Sequence, residues 1–320
     1  MFRKVLCVGM ATCDVVIKPV PENIFELDNF EIAPPVISGG GDALNVARVL
    51  RRMGMEVTLC TRINNDLFGR EVIGELECLG VKTSEIIYEN KSGTAVTFAL
   101  IGKDGERHFA SARSIFSEID ESDVSDATLK NCDVIYFGSA MQMEKMDSGG
   151  IDRLFKRAKL NGKLTFMDAA LPKDFNRQWA KILDKAFYET DYLMPSFQEA
   201  ELITGMSEPG LQARYFEKYG LKALVIKLGS QGCYVTDFSN EKIVPPIKVE
   251  VMDTTGAGDG FVAGFISALS RGENIFEASH FANAVAALSV GGLGAQGNIE
   301  SYSQAQTLVK NNKKERGKEK

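Results

Sequence analysis

Short apolar runs alternate along the chain with longer segments in which apolar residues recur at helical spacing. The runs that suit buried strands cover residues 4–10, 55–61, 133–138, 164–168, 192–194 and 223–228. Helical spacing is found between them, for example at residues 67–79 and 151–160. Repetition of strand, helix and strand at these distances predicts a mostly parallel sheet with helices on both faces. The expected fold class is therefore α/β, as a three-layer α/β/α sandwich.

Two segments fit this alternation poorly and are predicted to be extended structure outside the main sheet. Residues 15–37 carry four prolines and little helical spacing. Residues 94–110 contain two strand-like pieces joined by a Gly-Lys-Asp-Gly turn, which is typical of a β-hairpin. We expect both segments to be insertions in a single domain over residues 1–309. The charged residues 310–320 lack apolar anchors, so we expect a disordered tail there.

A glycine-rich turn stands directly before a helical pattern at residues 261–269. A proline-bounded, β-branched run at residues 243–251 precedes it, so the glycines are predicted to lie at a strand-to-helix turn. The first N–H groups of a helix are unpaired and the helix dipole is positive there, which favours an anion such as phosphate. Gly256 and Gly258 have no Cβ, so the anion can approach the backbone N–H groups closely. Asp259 then suits a base that accepts the proton of an attacking hydroxyl, which indicates phosphoryl transfer to an alcohol.

The alternative is that Asp259 merely caps the helix and that the glycines only allow close helix packing. Three features weigh against this alternative. Asp253 and two threonines precede the loop, small residues line one side of the helix, and a second glycine-rich motif lies at residues 38–54.

Asp14 follows the first predicted strand, in what we expect to be a loop at the carboxyl end of that strand. Ligands bind at this end of the strands in open α/β sheets. The residue pattern alone leaves two roles open for Asp14, namely a turn residue and a polar anchor for substrate hydroxyls.

Composition narrows the classes of function. The chain has 320 residues, 44% hydrophobic and 25% charged, which suits one large soluble domain. A net charge of −6 and the lack of a basic patch interleaved with aromatic residues do not indicate nucleic-acid binding. No apolar run approaches the roughly 18 residues of a membrane span and no signal-peptide core follows Met1, so we expect a cytoplasmic protein without a membrane partner. Two histidines, six scattered cysteines and no P-loop motif argue against a Ser-His-Asp hydrolase, a zinc site and a P-loop enzyme.

Two motifs together resemble the signatures of the ribokinase-like (PfkB) carbohydrate kinase family. They are GGGDALNVARVLRRMG at residues 39–54 and DTTGAGDGFVAGF at residues 253–265. The second motif is highly specific, and the resemblance extends over residues 5–299. It implies an ATP-dependent kinase that phosphorylates a primary hydroxyl of a small sugar or sugar-like molecule. It also implies that the two extended segments form a β-sheet lid over the sugar, and that lids of two subunits pair in a homodimer.

The resemblance also implies roles for individual residues. Asp259 is implied to be the general base, and the backbone of Gly256, Ala257 and Gly258 is implied to form with it an anion hole for the transferred phosphoryl group. The residues implied to bind the sugar are Asp14, Gly40, Gly41 and Asn45.

The nucleotide and its ions have implied positions as well. The residues implied to lie near ATP are Ser196, Lys227, Gly229, Gly232, Asn283 and Gly294. Residues 291–296 resemble the loop that closes over the nucleotide. Glu199 is implied to organise Mg²⁺ indirectly, with Ser196 where the family has asparagine, while a first-turn glutamate favoured by the helix dipole is the alternative. Asp253 and Thr255 could hold K⁺.

The sequence leaves several functions and substrates open. The substrate could be ribose, fructose, an acid sugar or a nucleoside, so a nucleoside kinase of the same family is one alternative. Asp42 makes the polar lining acidic, which favours a neutral sugar, although Arg107 or Arg113 could reverse this. A catalytically silent nucleotide- or sugar-binding sensor is another alternative, and the presence of Asp259 argues against it. A nicotinamide-dependent dehydrogenase is disfavoured because a single glycine, Gly9, ends the first predicted strand.

Overall fold

The computed structural model describes residues 2–171, 177–292, 294–295 and 297–316. The strands in these ranges are β1 (Lys4–Val8), β2 (Thr12–Val20), β3 (Val36–Gly40), β4 (Glu56–Ile63), β5 (Lys82–Tyr88), β6 (Val96–Gly102), β7 (Arg107–Ala112), β8 (Val134–Ala140), β9 (Leu164–Ala169), β10 (Tyr192–Leu193), β11 (Ala223–Lys227), β12 (Cys233–Thr236) and β13 (Glu241–Val244). The α-helices are α1 (Asp42–Arg52), α2 (Leu67–Leu79), α3 (Asp126–Asn131), α4 (Ile151–Leu160), α5 (Asp184–Tyr188), α6 (Phe197–Thr204), α7 (Pro209–Glu217), α8 (Ala257–Leu269), α9 (Ile275–Val290) and α10 (Tyr302–Arg316). Within these ranges, no helix combines the length and the apolar character needed to cross a bilayer.

Nine strands form the large sheet, in the order β13-β12-β11-β10-β9-β8-β1-β4-β5. Every neighbouring pair from β11 to β5 is parallel, whereas β12 and β13 add to the edge in antiparallel orientation. The predicted α/β class with a mostly parallel sheet is therefore confirmed.

The apolar strands bury side chains on both faces of this sheet, which explains why they are nearly continuous in apolar residues. In β1, Val5 and Cys7 pack on the face covered by α1, α2, α8 and α9. Leu6 and Val8, which alternate with them, pack on the opposite face against residues of α3 to α7. The three-layer arrangement follows from this alternation.

A second, four-stranded sheet has the order β3-β2-β6-β7. Strands β6 and β7 pair in antiparallel register, with Val96 opposite Ala112 and Ile101 opposite Arg107, so the predicted hairpin is confirmed. The parallel pairing of β2 with β6 joins this hairpin to the chain that leaves the large sheet after β1. That this sheet acts as a lid over a substrate stays a prediction.

The prediction of a strand immediately before the glycine turn is wrong. Strand β13 ends at Val244, and the rest of the β-branched run leads into α8 as irregular backbone. Pro245 and Pro246 explain the difference, because proline has no N–H to donate to a strand ladder. The expected loop around Asp14 is also wrong, since β2 begins at Thr12 and Asp14 pairs with Ser38 of β3.

The C-terminal segment differs from the prediction as well. Helix α10 continues to Arg316, so the expectation of disorder is wrong for residues 310–316. Residues 302–316 are rich in good helix formers such as Gln, Lys, Arg and Glu, and the buried Ala305 anchors the helix on the core. Residues 317–320 lie outside the described ranges.

Candidate active site

The first turn of α8, which includes Asp259, lies near the carboxyl edge of the large sheet. Gly256 precedes the helix with φ of +72°, and a Cβ on it would lie 2.1 Å from the carbonyl oxygen of Ala295, so only glycine fits. The first N–H groups of α8 are the ones that lack intrahelical acceptors. Asp259 is the third residue of the helix, so its carboxylate stands beside these donors.

The two glycine motifs come together through a side-chain contact. Nδ2 of Asn45, on α1, donates a hydrogen bond of 2.8 Å to Oδ2 of Asp259. Arg48, which is 1% exposed, contacts the other end of the Asn45 amide. Its Nη1 donates to Oδ1 of Asn45 at 3.4 Å and to the carbonyl of Gly39 at 2.8 Å. Arg48 also pairs with Glu75. The amide orientation that serves Asp259 is therefore fixed by a buried cation, Arg48, which no sequence motif had indicated as a site residue.

Burial raises the pKa of Asp259 well above its usual value, and the negative charge of Asp42 adds to this effect. The hydrogen bond from Asn45 and the charge of Lys227 act in the opposite direction. Asp42 begins α1 and accepts a hydrogen bond of 2.5 Å from Oγ of Ser139. A carboxylate with a raised pKa binds a proton more readily than a free aspartate, which suits a general base.

Asp14 and the glycines before α1 lie next to each other. Oγ1 of Thr12 donates to Oδ1 of Asp14 at 2.9 Å, and a Cβ on Gly40 would lie 2.1 Å from Oδ2 of Asp14. Gly41, with φ of +92°, begins the turn into α1, and a Cβ there would lie 2.6 Å from the carbonyl of Met10. Glycine is needed at both positions because the Asp14 carboxylate and the backbone occupy the space that a side chain would need.

A cavity of about 520 Å³ opens beside the first turn of α8. This volume is within the range of about 300–1,000 Å³ typical of small-molecule sites. The predicted site residues that line the cavity are Lys227, Gly229, Gly232, Asn283, Ala257 and Gly258. Apolar side chains complete much of its wall, including Ile247, Phe261 and Val290. The cavity is therefore the candidate nucleotide site.

Asn283 and Gly294 contribute to this region through structural hydrogen bonds. Nδ2 of Asn283 donates to the carbonyls of Val244 and Pro245, both at 3.1 Å, and so holds the segment that leads into the cavity wall. The N–H of Gly294 donates to Oδ2 of Asp253 at 3.2 Å. In the loop 291–296 around Gly294, residues 293 and 296 lie outside the described residues.

Lys227 and Asp168 form an ion pair at the carboxyl edge of the sheet. Nζ of Lys227, the last residue of β11, lies 2.5 Å from Oδ2 of Asp168, near the end of β9. Burial raises the pKa of Asp168 to about 7, partly offset by Lys227. The pKa of Lys227 is raised in spite of its burial, because Asp168 and Glu199 favour the charged form. Asp168 is not among the residues predicted from the sequence, although a polar residue near the end of a buried strand at this edge is a signal for a site.

Ser196 and Glu199 form a capping box at the start of α6. The N–H of Ser196 donates to Oε2 of Glu199 at 2.6 Å, and the N–H of Glu199 donates to Oγ of Ser196 at 3.3 Å. Glu199 is therefore a first-turn glutamate at the start of a helix, which is the alternative role predicted for it. Its charge also adds to the burial that raises the pKa of Asp168, so the Glu199 carboxylate belongs to the same cluster.

The carboxylate of Asp253 is surrounded by hydrogen-bond donors. Its Oδ1 accepts from N and Oγ1 of Thr255, at 3.0 and 2.7 Å, and from Nη1 of Arg107 at 3.2 Å. Arg107 lies on β7 of the small sheet, so this ion pair joins that sheet to the glycine turn. In this arrangement the guanidinium competes with a cation for Oδ1 of Asp253, and a K⁺ site at Asp253 and Thr255 stays a prediction.

Phosphoryl transfer is the chemistry that such a site supports, since a helix N-terminus binds the anion and a neighbouring carboxylate can accept a proton. The comparison with known families agrees with this class. The sequence profile of pfkB family carbohydrate kinases matches residues 3–301 of the chain. The protein therefore belongs to the pfkB family and is a carbohydrate kinase.

Individual relatives show the extent of the similarity. Ribokinase from Haemophilus influenzae is 30% identical over 276 residues, which cover 84% of this chain and 86% of that protein. Fructokinase-1 from Zea mays is 28% identical over 288 residues, covering 84% and 88%. The crystal structure of a putative ribokinase II from E. coli, in complex with ATP and Mg²⁺, has a TM-score of 0.84 at 23% identity and covers 97% of this chain and 99% of that chain. This structure has the same fold.

Proposed function

We propose that this protein transfers the γ-phosphoryl group of ATP to a primary hydroxyl of a neutral sugar. The observation that carries the proposal is the 2.8 Å contact between Asn45 and Asp259. The contact brings Asp259, whose neighbour Gly258 lines the cavity, against α1, and α1 follows Gly40, which packs against Asp14. A base in this position can reach an acceptor on one side while the phosphoryl donor lies on the other.

Asp259 accepts the proton of the acceptor hydroxyl as the hydroxyl oxygen attacks the γ-phosphorus. Asn45 keeps the carboxylate in one orientation through its hydrogen bond. The N–H groups of Gly256, Gly258 and Asp259 can stabilise the negative charge on the transferred oxygens without reorganisation, whereas the N–H of Ala257 already donates to the carbonyl of Thr254 at 3.3 Å. Asp14, with Gly40, Gly41 and the backbone around them, binds the hydroxyls of the sugar.

Mg²⁺ would be held jointly by an acidic side chain near Lys227 and by the phosphates of the bound nucleotide. In the described ranges, no group of three or more His, Cys, Asp or Glu side chains could hold a metal ion by itself. Kinase sites commonly hold Mg²⁺ through one or two carboxylates together with substrate phosphates. Glu199 is the carboxylate near Lys227 that would hold the ion through water, while Asp168 stays paired with Lys227. When bound, Mg²⁺ supplies positive charge that neutralises the donor phosphates.

The small sheet is proposed to close over the sugar and to pair with the same sheet of a second subunit. Closure would exclude water, which otherwise competes with the sugar for the phosphoryl group. Arg107 supports closure because it reaches from β7 to Asp253. All six residues of β7 are exposed, and its one large apolar side chain, Phe109, is 64% exposed and so accessible to a partner.

A coupled ADP-release assay with ATP and Mg²⁺ tests the proposed function. The acceptor panel contains ribose, fructose, 2-keto-3-deoxygluconate, adenosine, inosine and pseudouridine. Acceptor-dependent ADP release with ribose or fructose is the expected result, and background hydrolysis without acceptor is the control. Turnover with nucleosides alone would favour the nucleoside kinase instead. Tight ATP binding without turnover on any acceptor would favour the sensor.

A further inference from the structure

The ammonium group of Lys227 stands at the first turn of α8. A Cβ built on Gly258 would lie 3.6 Å from Nζ of Lys227, and both residues line the nucleotide cavity. The backbone of Lys227 is held as well, because its N–H donates to the carbonyl of Pro195 at 2.9 Å. The side chain is only 14% exposed. A fixed positive charge therefore lies where the helix dipole already favours an anion.

Carboxylates surround this single ammonium group. Asp168 contacts it at 2.5 Å, and the charge of Lys227 also acts on Asp42 and Asp259. Without a cation, such a cluster would repel the triphosphate of ATP. Asp168 is 5% exposed and approaches from β9, across the two-residue strand β10. Its position fixes the direction in which the Lys227 ammonium points.

We propose that Lys227 is a catalytic residue that contacts the transferring phosphoryl group, and that Asp168 is a positioning residue that aims the ammonium at the N-terminus of α8. This inference rests on the proposed phosphoryl transfer and names a further group in that step. The acceptor oxygen forms a bond to the γ-phosphorus, the bond from the γ-phosphorus to the bridging oxygen of ADP breaks, and the hydroxyl proton passes to Asp259. Lys227 transfers no proton and neutralises charge on the phosphoryl oxygens.

A second lysine–aspartate pair provides a matched control. Lys222 immediately precedes β11, at the opposite end of that strand from Lys227, and its Nζ lies 3.4 Å from Oδ1 of the buried Asp191. The Lys222 side chain is 54% exposed and does not line the nucleotide cavity. If lysine–aspartate pairs on these strands only stabilise the sheet, substitution of Lys222 and of Lys227 should have similar effects.

The test compares Lys227→Met, Lys227→Arg, Asp168→Asn and Lys222→Met. For each variant, kcat and KM are measured with the best acceptor of the panel, and the affinities for ATP and ADP are measured by calorimetry. Lys227→Met should lower kcat by about 100-fold, the loss seen when one transition-state donor is removed. It should also remove the preference for ATP over ADP, since Lys227 contacts the γ-phosphoryl group. Lys227→Arg should recover part of kcat, Asp168→Asn should lower both kcat and the ATP preference, and Lys222→Met should change neither.

The double variant Lys227→Met with Asp168→Asn is a second test in case Lys227→Met alone does not fold, because it removes both members of the buried ion pair and leaves neither of them unpaired. Circular dichroism and thermal unfolding show whether each variant is folded. Wild-type kcat, or an unchanged ratio of ATP to ADP affinity, in a folded Lys227→Met or double variant would overturn the inference. Loss of the ATP preference in a protein that phosphorylates no acceptor would support Lys227 as a γ-phosphate ligand and would contradict the proposed acceptor class instead.

Discussion

Asn45 and Asp259 lie 214 residues apart in the chain, yet the amide of one donates directly to the carboxylate of the other. The contact joins the first turn of α8 to α1, and α1 follows the glycines that pack against Asp14. It brings the proposed base, its orienting group and the proposed sugar site into one place.

Asp259→Asn should lower kcat by about 10²- to 10⁴-fold, because a general base contributes this much and asparagine cannot accept the proton. The amide has nearly the same size, so the fold and ATP affinity should be retained. Steady-state kinetics and calorimetry check the two parts of this prediction. Turnover equal to that of the wild type would show that Asp259 is not the base.

Asp42→Asn should move the acidic limb of the kcat profile to lower pH. Burial and then the charge of Asp42 raise the pKa of Asp259, so removal of that charge should lower it. The base acts in its deprotonated form, and activity rises as the pH passes the pKa; a lower pKa therefore places the rise at lower pH. The control is Glu56→Gln, since Glu56 is 52% exposed and begins β4 at the other edge of the sheet. A limb that stays in place, or moves to higher pH, would contradict the proposed coupling.

Replacement of Na⁺ by K⁺ at constant ionic strength should leave the wild-type rate nearly unchanged, because Arg107 lies against Asp253. Arg107→Ala should free this carboxylate, raise KM for the acceptor through weaker closure of the small sheet, and make the rate sensitive to K⁺. Lys103→Ala, in the turn between β6 and β7, changes a charge on the same hairpin and is the control. Strong activation of the wild-type enzyme by K⁺ would show that Arg107 does not take the place of a cation.

Phe109→Glu should convert a dimer into a monomer, if the small sheet forms the subunit contact. The substitution places a charge on an apolar side chain that is 64% exposed on β7. Size-exclusion chromatography with light scattering measures the mass directly. Phe25→Glu is a comparison, since Phe25 is 99% exposed and lies outside the strands of this sheet. Identical masses for wild type and Phe109→Glu would exclude this contact as the dimer interface.

Gly264→Ala should destabilise the fold by about 1–3 kcal/mol, the usual cost of overpacking. A Cβ on Gly264 would lie 2.9 Å from Cγ2 of Val285 and 3.0 Å from Cα of Ala282, at the contact between α8 and α9. Gly74→Ala, in the exposed middle of α2 with no atom within 4 Å of the added Cβ, should instead stabilise by about 0.5–1 kcal/mol. Urea unfolding measures both changes. Equal effects would mean that helix propensity, and not packing of α8 on α9, decides the outcome.

Much of the architecture follows from local pattern. The apolar runs predicted the central strands, and residues 67–79 and 151–160 form α2 and α4 with the predicted bounds. The glycine turn at residues 256–258 lies before a helix, as expected, since glycine and helical spacing are signals within a few residues of each other. The errors around residues 245–251 and 310–316 are local as well, because a proline pair and a run of helix formers decided them.

The partners of the site residues could not be obtained in this way. Asp168 and Lys227 are 59 residues apart, and Arg107 and Asp253 are 146 apart. The first pair exists because the strand order places β9 and β11 near each other at one edge of the large sheet, and the second exists because the small sheet lies against the glycine turn. A linear pattern contains no signal for either arrangement. Periodicity depends on contacts between near neighbours in the chain, whereas the distance between two charged groups depends on the path of the whole backbone. The tertiary structure alone therefore decides which carboxylate holds Lys227 and which cation meets Asp253.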